Sequence, residues 1–241
     1  MIVRSRIGLL LYLLAAVGAG WAAEAPVGTT AYERAAEVLV RFGRWCSENQ
    51  ARGAGPYIVL APASFSNTNA LNDTLYQRWY PMSVINPMRP RNPAVRSKYD
   101  VEGTLALLKM LREQFGGEAR IYVTGVSGGG IPCYGMVHGE PTMIAAAAPT
   151  CANYNGPKPP VRSGSGGPIL QLLGADDGYN DVVGDGPGLI HQNDWAMREF
   201  QRRGFSVTRE MVPGAGHGPM PRRVVEFFEK VRTEEGARPG P

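Results

Sequence analysis

Between residues 121 and 138 the chain passes from an apolar run, IYVTG, through four glycines gathered around one serine, GVSGGG (125–130), into the helix-compatible IPCYGMVH. Glycine weakens the interior of regular structure, so such a cluster marks a backbone that bends sharply or is approached closely. Gly125-Val126-Ser127-Gly128-Gly129 fits G-x-S-x-G and occupies the strand-to-helix position at which that pattern has a physical meaning. Small residues on either side let the turn close tightly. That lifts the Ser127 hydroxyl above the sheet and aims the backbone N–H groups of Gly128 and of the helix start at any oxyanion formed there. A phosphate-binding glycine turn would call instead for a lysine or a ribose-binding acid nearby, and neither is evident.

The segments around this turn alternate. PYIVLAP (56–62) and PILQLL (168–173) are short apolar runs that suit strands buried on both faces, and SVTREMV (206–212) predicts the last strand. MIAAAAPT (143–150) reads as a strand, although its alanines leave a helix open. Helices are predicted at 30–46, opened by the capping-box spacing of Thr30 and Glu33, and at 100–115, capped by Asp100 with Leu105, Leu108 and Leu111 on its buried stripe. Two more are predicted at 189–203, stopping at Gly204, and from Pro221 onward, with Val224, Val225, Phe228 and Val231 facing the sheet. Strands alternating with helices imply an α/β fold, a mostly parallel sheet with helices on both faces. Residues 64–99 form a long irregular segment, and loops of that length are usually functional. Its Tyr76, Trp79 and Tyr80, together with Tyr154, either wall a substrate site or pack their loops down.

At 241 residues the chain suits one domain. Its formal charge of +4 includes no dense basic block, which argues against nucleic acid as a partner. The N-terminus reads as a secretory signal peptide over residues 1–22: Arg4 and Arg6, an acid-free apolar run from Ile7 to about Gly20, then Gly20 and Ala22 placed for cleavage after Ala22. That reading gives one catalytic domain over 23–241 and a secreted or periplasmic protein with no membrane contact after cleavage. The competing readings make the run a membrane anchor, for which it is short, or the first strand of the fold. Export would permit disulfides, and a Cys133–Cys151 bridge stands beside the alternative of three buried thiols.

A serine hydroxyl needs a base, and the chain has three histidines. His138 lies eleven residues past Ser127 on the same helix, about 16 Å away at 1.5 Å per residue. His191 begins a late helix with no route to the strand ends. His217 falls in VPGAGHGPMP, directly after the last strand, at the sheet edge where ligands bind. His217 is therefore the expected base. The acid that would orient it is expected at the end of PILQLL, where Asp176 and Asp177 stand side by side and the residues alone do not choose between them. No H-E-x-x-H or paired Cys/His ligand spacing exists, so no metal is expected. Nothing in the sequence fixes an oligomeric state.

These residues resemble the α/β-hydrolase superfamily, in the order Ser, Asp, His. Within it they resemble secreted esterases related to polyhydroxybutyrate depolymerases and feruloyl esterases. The similarity runs over about 57–228 and rests on YIVLAP, RIYVTGVSGGG, GADD and PGAGHGP. The resemblance implies Asp177, the fourth residue of Gly174-Ala175-Asp176-Asp177, as the acid. It also implies a cofactor-free hydrolase of carboxylic esters, polymeric or small. A prolyl-oligopeptidase-like serine peptidase shares the triad order, and a hydrolase fold retained for binding is the non-enzymatic alternative. One feature departs from the superfamily, which has another strand between PYIVLAP and the nucleophile strand, followed by the loop that supplies a second oxyanion donor. Upstream of Thr30 the only apolar run is 7–20. Either N-terminal strands are missing, or that run is the strand, or PYIVLAP is itself the absent strand with ASFSN as the oxyanion loop.

Overall fold

The computed structural model describes residues 8–14, 57–60, 104, 105, 108, 112, 113, 120–154, 156 and 166–236. Six strands form one parallel sheet: β1 (Gly8–Leu14), β2 (Tyr57–Leu60), β3 (Ile121–Val126), β4 (Ile144–Thr150), β5 (Ile169–Gly174) and β8 (Val207–Val212), in the spatial order β2-β1-β3-β4-β5-β8. Every pairing in it is parallel. The short β6 (Val182–Val183) and β7 (Gly186–Pro187) make a separate antiparallel hairpin. The helices with described bounds are α1 (Gly130–Gly139), α2 (Leu189–Arg202) and α3 (Pro221–Gly236). This is an α/β fold of the α/β-hydrolase type. Among the described residues no helix is long and apolar enough to cross a membrane.

The core lies on both faces of the sheet. One side joins Val123, Ala147, Ile169 and Val207 to Cys133, Tyr134 and Val137 of α1 and Phe200 of α2. The other joins Tyr122, Ala146, Ala148 and Leu172 to Val224, Val225, Phe228 and Val231 of α3. Periodicity explains this division, because odd and even residues of a strand face opposite ways. The alanine-rich segment becomes strand β4 because it is wholly buried between β3 and β5, where packing overrides alanine's helical preference. The register shifts between Ile121 and Tyr122, which pair with Ile144 and Ala146, so Ala145 is an extra residue in β4.

Gly8–Leu14, within the stretch read from sequence as a signal peptide, is β1 in the full chain. It pairs with β2 from Gly8↔Tyr57 to Leu11↔Leu60 and with β3 from Leu9↔Ile121 to Leu14↔Val126. It thus fills the position between PYIVLAP and the nucleophile strand that the superfamily comparison left open. Of the helix expected at 100–115, Thr104, Leu105 and Leu108 are helical, with Leu108 fully buried. The helix expected at 30–46, the 64–99 segment and its Tyr76, Trp79 and Tyr80 lie outside the described residues.

The Cys133–Cys151 bridge is absent; both residues are free, buried thiols. Cys133 points from α1 at the Val123 carbonyl on one side of the sheet, whereas Cys151 packs with the α3 side. Tyr154 is a core residue, edge-on to Tyr134 and Trp195, and packs its loop rather than walling an open site.

Candidate active site

In a parallel sheet the carboxyl ends of the strands share one edge, and four adjacent strands each deliver a chemically capable residue there. Ser127 follows β3, Cys151 follows β4, Asp177 lies three residues past β5 and His217 five past β8.

Ser127 opens a short 3-10 turn, Ser127–Gly129, that leads directly into α1. Its φ is 53°, in the left-handed region that ordinary side chains avoid. That conformation reverses the chain sharply between strand and helix. Gly130 is needed for the next step, because a Cβ there would lie 2.3 Å from the Ala152 Cβ. The Ser127 carbonyl accepts the Asn153 N–H at 2.9 Å, and the Ser127 hydroxyl makes a long hydrogen bond to Asn153 Oδ1 at 3.4 Å. Gly128, whose N–H is the expected oxyanion donor, is buried in this first turn, where N–H groups lack intrahelical acceptors. A buried polar lattice fixes Asn153 from behind. Its Nδ2 donates to Gln192 Oε1, and Asn193 donates to the Ala152 carbonyl while accepting from the Tyr134 hydroxyl.

His217 and Asp177 are joined directly: Nδ1 donates to Asp177 Oδ2 at 2.8 Å. The Asp177 side chain is fully buried and that of His217 is 9% exposed. The second carboxylate oxygen accepts the Tyr179 N–H at 2.9 Å. Burial alone would raise the Asp177 carboxyl, but hydrogen bonds from His217 and the Tyr179 N–H, the imidazole charge and the Cys151 thiol together hold it below its ordinary value. Since the unfolded carboxyl titrates near about 3.9, this interaction adds stability that is complete above that value and is lost as pH falls through the lower folded range. Asp176, the neighbour that sequence could not separate from Asp177, is exposed, and its N–H is spent on the Ala215 carbonyl.

With the proton on Nδ1 facing the carboxylate, His217 Nε2 is left with its lone pair; it is buried and has no hydrogen-bond partner among the described residues. Ser127 and His217 are not hydrogen-bonded to each other; the serine hydroxyl is turned to Asn153. The ring of Tyr179 stands edge-on to the imidazole with centroids 4.9 Å apart. Of the other histidines, His138 is buried against Phe200 and His191 is exposed on α2.

Gly174 lets the end of β5 and the loop that carries His217 meet. A Cβ there would stand 2.3 Å from the Ala215 carbonyl oxygen and 2.4 Å from that of Gly216. Gly174→Ala is therefore expected to cost about 1–3 kcal/mol of stability. By pushing the His217 loop outward it should also lower turnover by on the order of 10²-fold. Denaturant melts paired with initial rates check both effects.

Cys151 stood in the sequence as a disulfide partner or a buried thiol, although its place just past a strand end is the signal that brought out the other residues. Its sulfur, a carboxylate oxygen of Asp177 and a ring nitrogen of His217 lie within 4.8 Å of one another. This donor set has the chemistry to hold a soft cation, but the thiol is protonated and Nδ1 is engaged with the carboxylate.

No family model matches the chain, and no curated protein matches it in sequence. Among solved structures it resembles SOBER1 of Arabidopsis thaliana, at 14% identity over 95% of this chain and 99% of that one, with a TM-score of 0.55. It also resembles a thermostable esterase, at 18% identity over 97% of this chain and 54% of that one, TM-score 0.57. A third likeness is to esterase PE8, at 15% identity over 94% and 92%, TM-score 0.55. At these identities the shared property is the fold.

Proposed function

We propose that the chain is a serine hydrolase of carboxylic esters, with Ser127 as nucleophile, His217 as general base and Asp177 as the acid that orients it. The observation that carries this reading is the buried Asp177–His217 pair, with Nε2 unpartnered, at the sheet edge where Ser127 is held at a φ of 53°. Backbone strain of this kind persists where the surrounding structure enforces it, and nucleophile turns are one such place. The Ser127 hydroxyl turns from Asn153 to Nε2, gives up its proton and attacks the ester carbonyl carbon. The oxyanion is stabilised by the Gly128 N–H, and the imidazolium returns its proton to the departing alcohol. Water, activated by the same nitrogen, then releases the acid from the acyl-enzyme. Ester is preferred to peptide by analogy with esterases of like fold, and the narrower likeness to polyester depolymerases and feruloyl esterases stands as a proposal on the motifs alone.

Titration of the folded protein with a fluorophosphonate tests the nucleophile. Stoichiometric labelling at Ser127 is expected, and none would favour a binding role. A panel of acyl chain lengths, hydroxycinnamate esters and proline-containing peptides then reads the substrate class. Asp177→Asn is expected to lower kcat by about 10³–10⁴-fold, because Nδ1 loses the acceptor that fixes its tautomer. Asp176→Asn, at an exposed position, should stay within about twofold. The reverse order would move the acid one residue upstream.

Residues 1–22 carry a separate proposal. Their residue order is that of an export signal, which would take the protein outside the cytoplasm, while Gly8–Leu14 is a strand of the sheet. One molecule can put those residues to only one of the two uses.

A further inference from the structure

We propose that Cys151 is a positioning residue for the acid–base pair, its thiol donating to the Gly216 carbonyl and lying beside the Asp177 carboxylate, and so tying the end of β4 to the loops that carry Asp177 and His217. The kinetic part of this inference rests on the serine-hydrolase reading; the geometric part does not.

Cys151 and Ser127 are the only two non-glycine residues with positive φ among those described. At 42°, Cys151 sits where glycine would meet less strain, so the fold retains a side chain at a conformational cost. The backbone is fixed there by the Cys151 N–H bond to the Leu172 carbonyl at 2.7 Å, which continues the β4–β5 ladder by one residue. The sulfur then reaches two parts of the site. It lies 3.8 Å from the carbonyl oxygen of Gly216, the residue before His217, and within 4.8 Å of both the Asp177 oxygen and the His217 nitrogen.

The state of the thiol fits donation and nothing else. Burial pushes it up to about 12, so at neutral pH it is neither a nucleophile nor a metal-ready thiolate. A protonated thiol can donate its one proton, which here goes to the Gly216 carbonyl at 3.8 Å, and its place beside the Asp177 carboxylate helps hold that carboxyl low. The groups facing that carboxylate come from three places: His217 from the loop after β8, the Tyr179 N–H from its own turn, and Cys151 from the end of β4. Remove the thiol, and the Gly216 carbonyl loses its tie to β4 while the carboxylate is left, among the described residues, with the His217 and Tyr179 donors.

Cys151→Gly removes the thiol and relaxes the backbone; Cys151→Ser restores a donor of nearly the same reach. In Cys151→Gly, kcat should fall on the order of tenfold with KM little changed, and the acid limb of the kcat profile should move to higher pH. Proton NMR of the His217 Nδ1–H should show the resonance shifted in Cys151→Gly and returned toward wild type in Cys151→Ser, together with kcat. Cys151→Ala carries the same readouts if the glycine variant does not fold. A folded thiol-free variant with wild-type resonance and pH profile overturns the proposal. So does an activity loss with neither readout moved, which is a packing effect. The ring-proton measurement repeated in Ser127→Ala is independent of turnover, so failure of the nucleophile assignment and failure of this one are seen separately.

Discussion

Ser127→Ala is expected to lower ester hydrolysis by at least about 10³-fold while the circular dichroism spectrum and melting transition stay close to wild type. The variant removes one oxygen from a residue that is 9% exposed and whose hydroxyl makes only the long bond to Asn153, so little of the fold depends on it. On the serine-hydrolase reading the chemistry depends on it wholly. His217→Ala should cause a loss of similar size, and the double variant should be scarcely worse than either single one, because nucleophile and base act in the same step. Residual turnover on the order of 10³–10⁴-fold above water would mark a complete oxyanion site. Much less would mean that the Gly128 N–H works without a second donor. Near-normal turnover in folded Ser127→Ala would end the serine-hydrolase reading.

Deleting residues 1–22 is expected to abolish the cooperative fold. The deletion removes β1, which carries four registered pairs with β2 and six with β3. Among the described residues β2 has no other neighbour in the sheet, so it is lost with β1, and β3 is left as an edge. At about 1 kcal/mol net per backbone hydrogen bond, ten paired positions are worth on the order of 10 kcal/mol, comparable to the whole stability of a domain. The 23–241 chain should therefore be recovered unfolded or aggregated, with no melting transition, whereas the full chain melts cooperatively. N-terminal sequencing of active protein gives the complementary answer. Met1 would place the strand in the working molecule. A folded, active protein beginning at Ala23 would restore the export signal and make β1 dispensable.

The alternation of short apolar runs with amphipathic stretches carried the architecture because burial on both faces of a parallel sheet demands nearly continuous apolar residues, as in IYVTG and PILQLL. The N-terminal run was ambiguous on physical grounds. Leucine-rich apolarity behind two arginines satisfies an export signal and a central strand equally, and pairing with Ile121–Val126 is a long-range fact that no local pattern encodes. At the site, Ser127 and His217 stood out because glycines surround them at strand ends. Asp176 and Asp177 could not be told apart, since which side chain turns inward depends on the turn closed by the Asp177 N–H on the Gly174 carbonyl. Gln171 is a polar residue inside an apolar strand. Its bonds to the Tyr134 hydroxyl and the Asn193 carbonyl join residues 22 to 37 positions apart, which no local pattern encodes. The role inferred for Cys151 was hidden for the same reason.

The order in which the strands leave the ribosome has a consequence of its own. The glycine turn that presents Ser127 is complete once β3 and α1 exist, but His217 follows β8, which pairs with β5 at the sheet's far edge. Until that last strand docks, Asp177 has no imidazole to orient, and Ser127 is an ordinary alcohol on a tight bend. On the proposed reading a chain without β8 is chemically silent, and hydrolytic competence arrives in one step, when β8 closes the row of four.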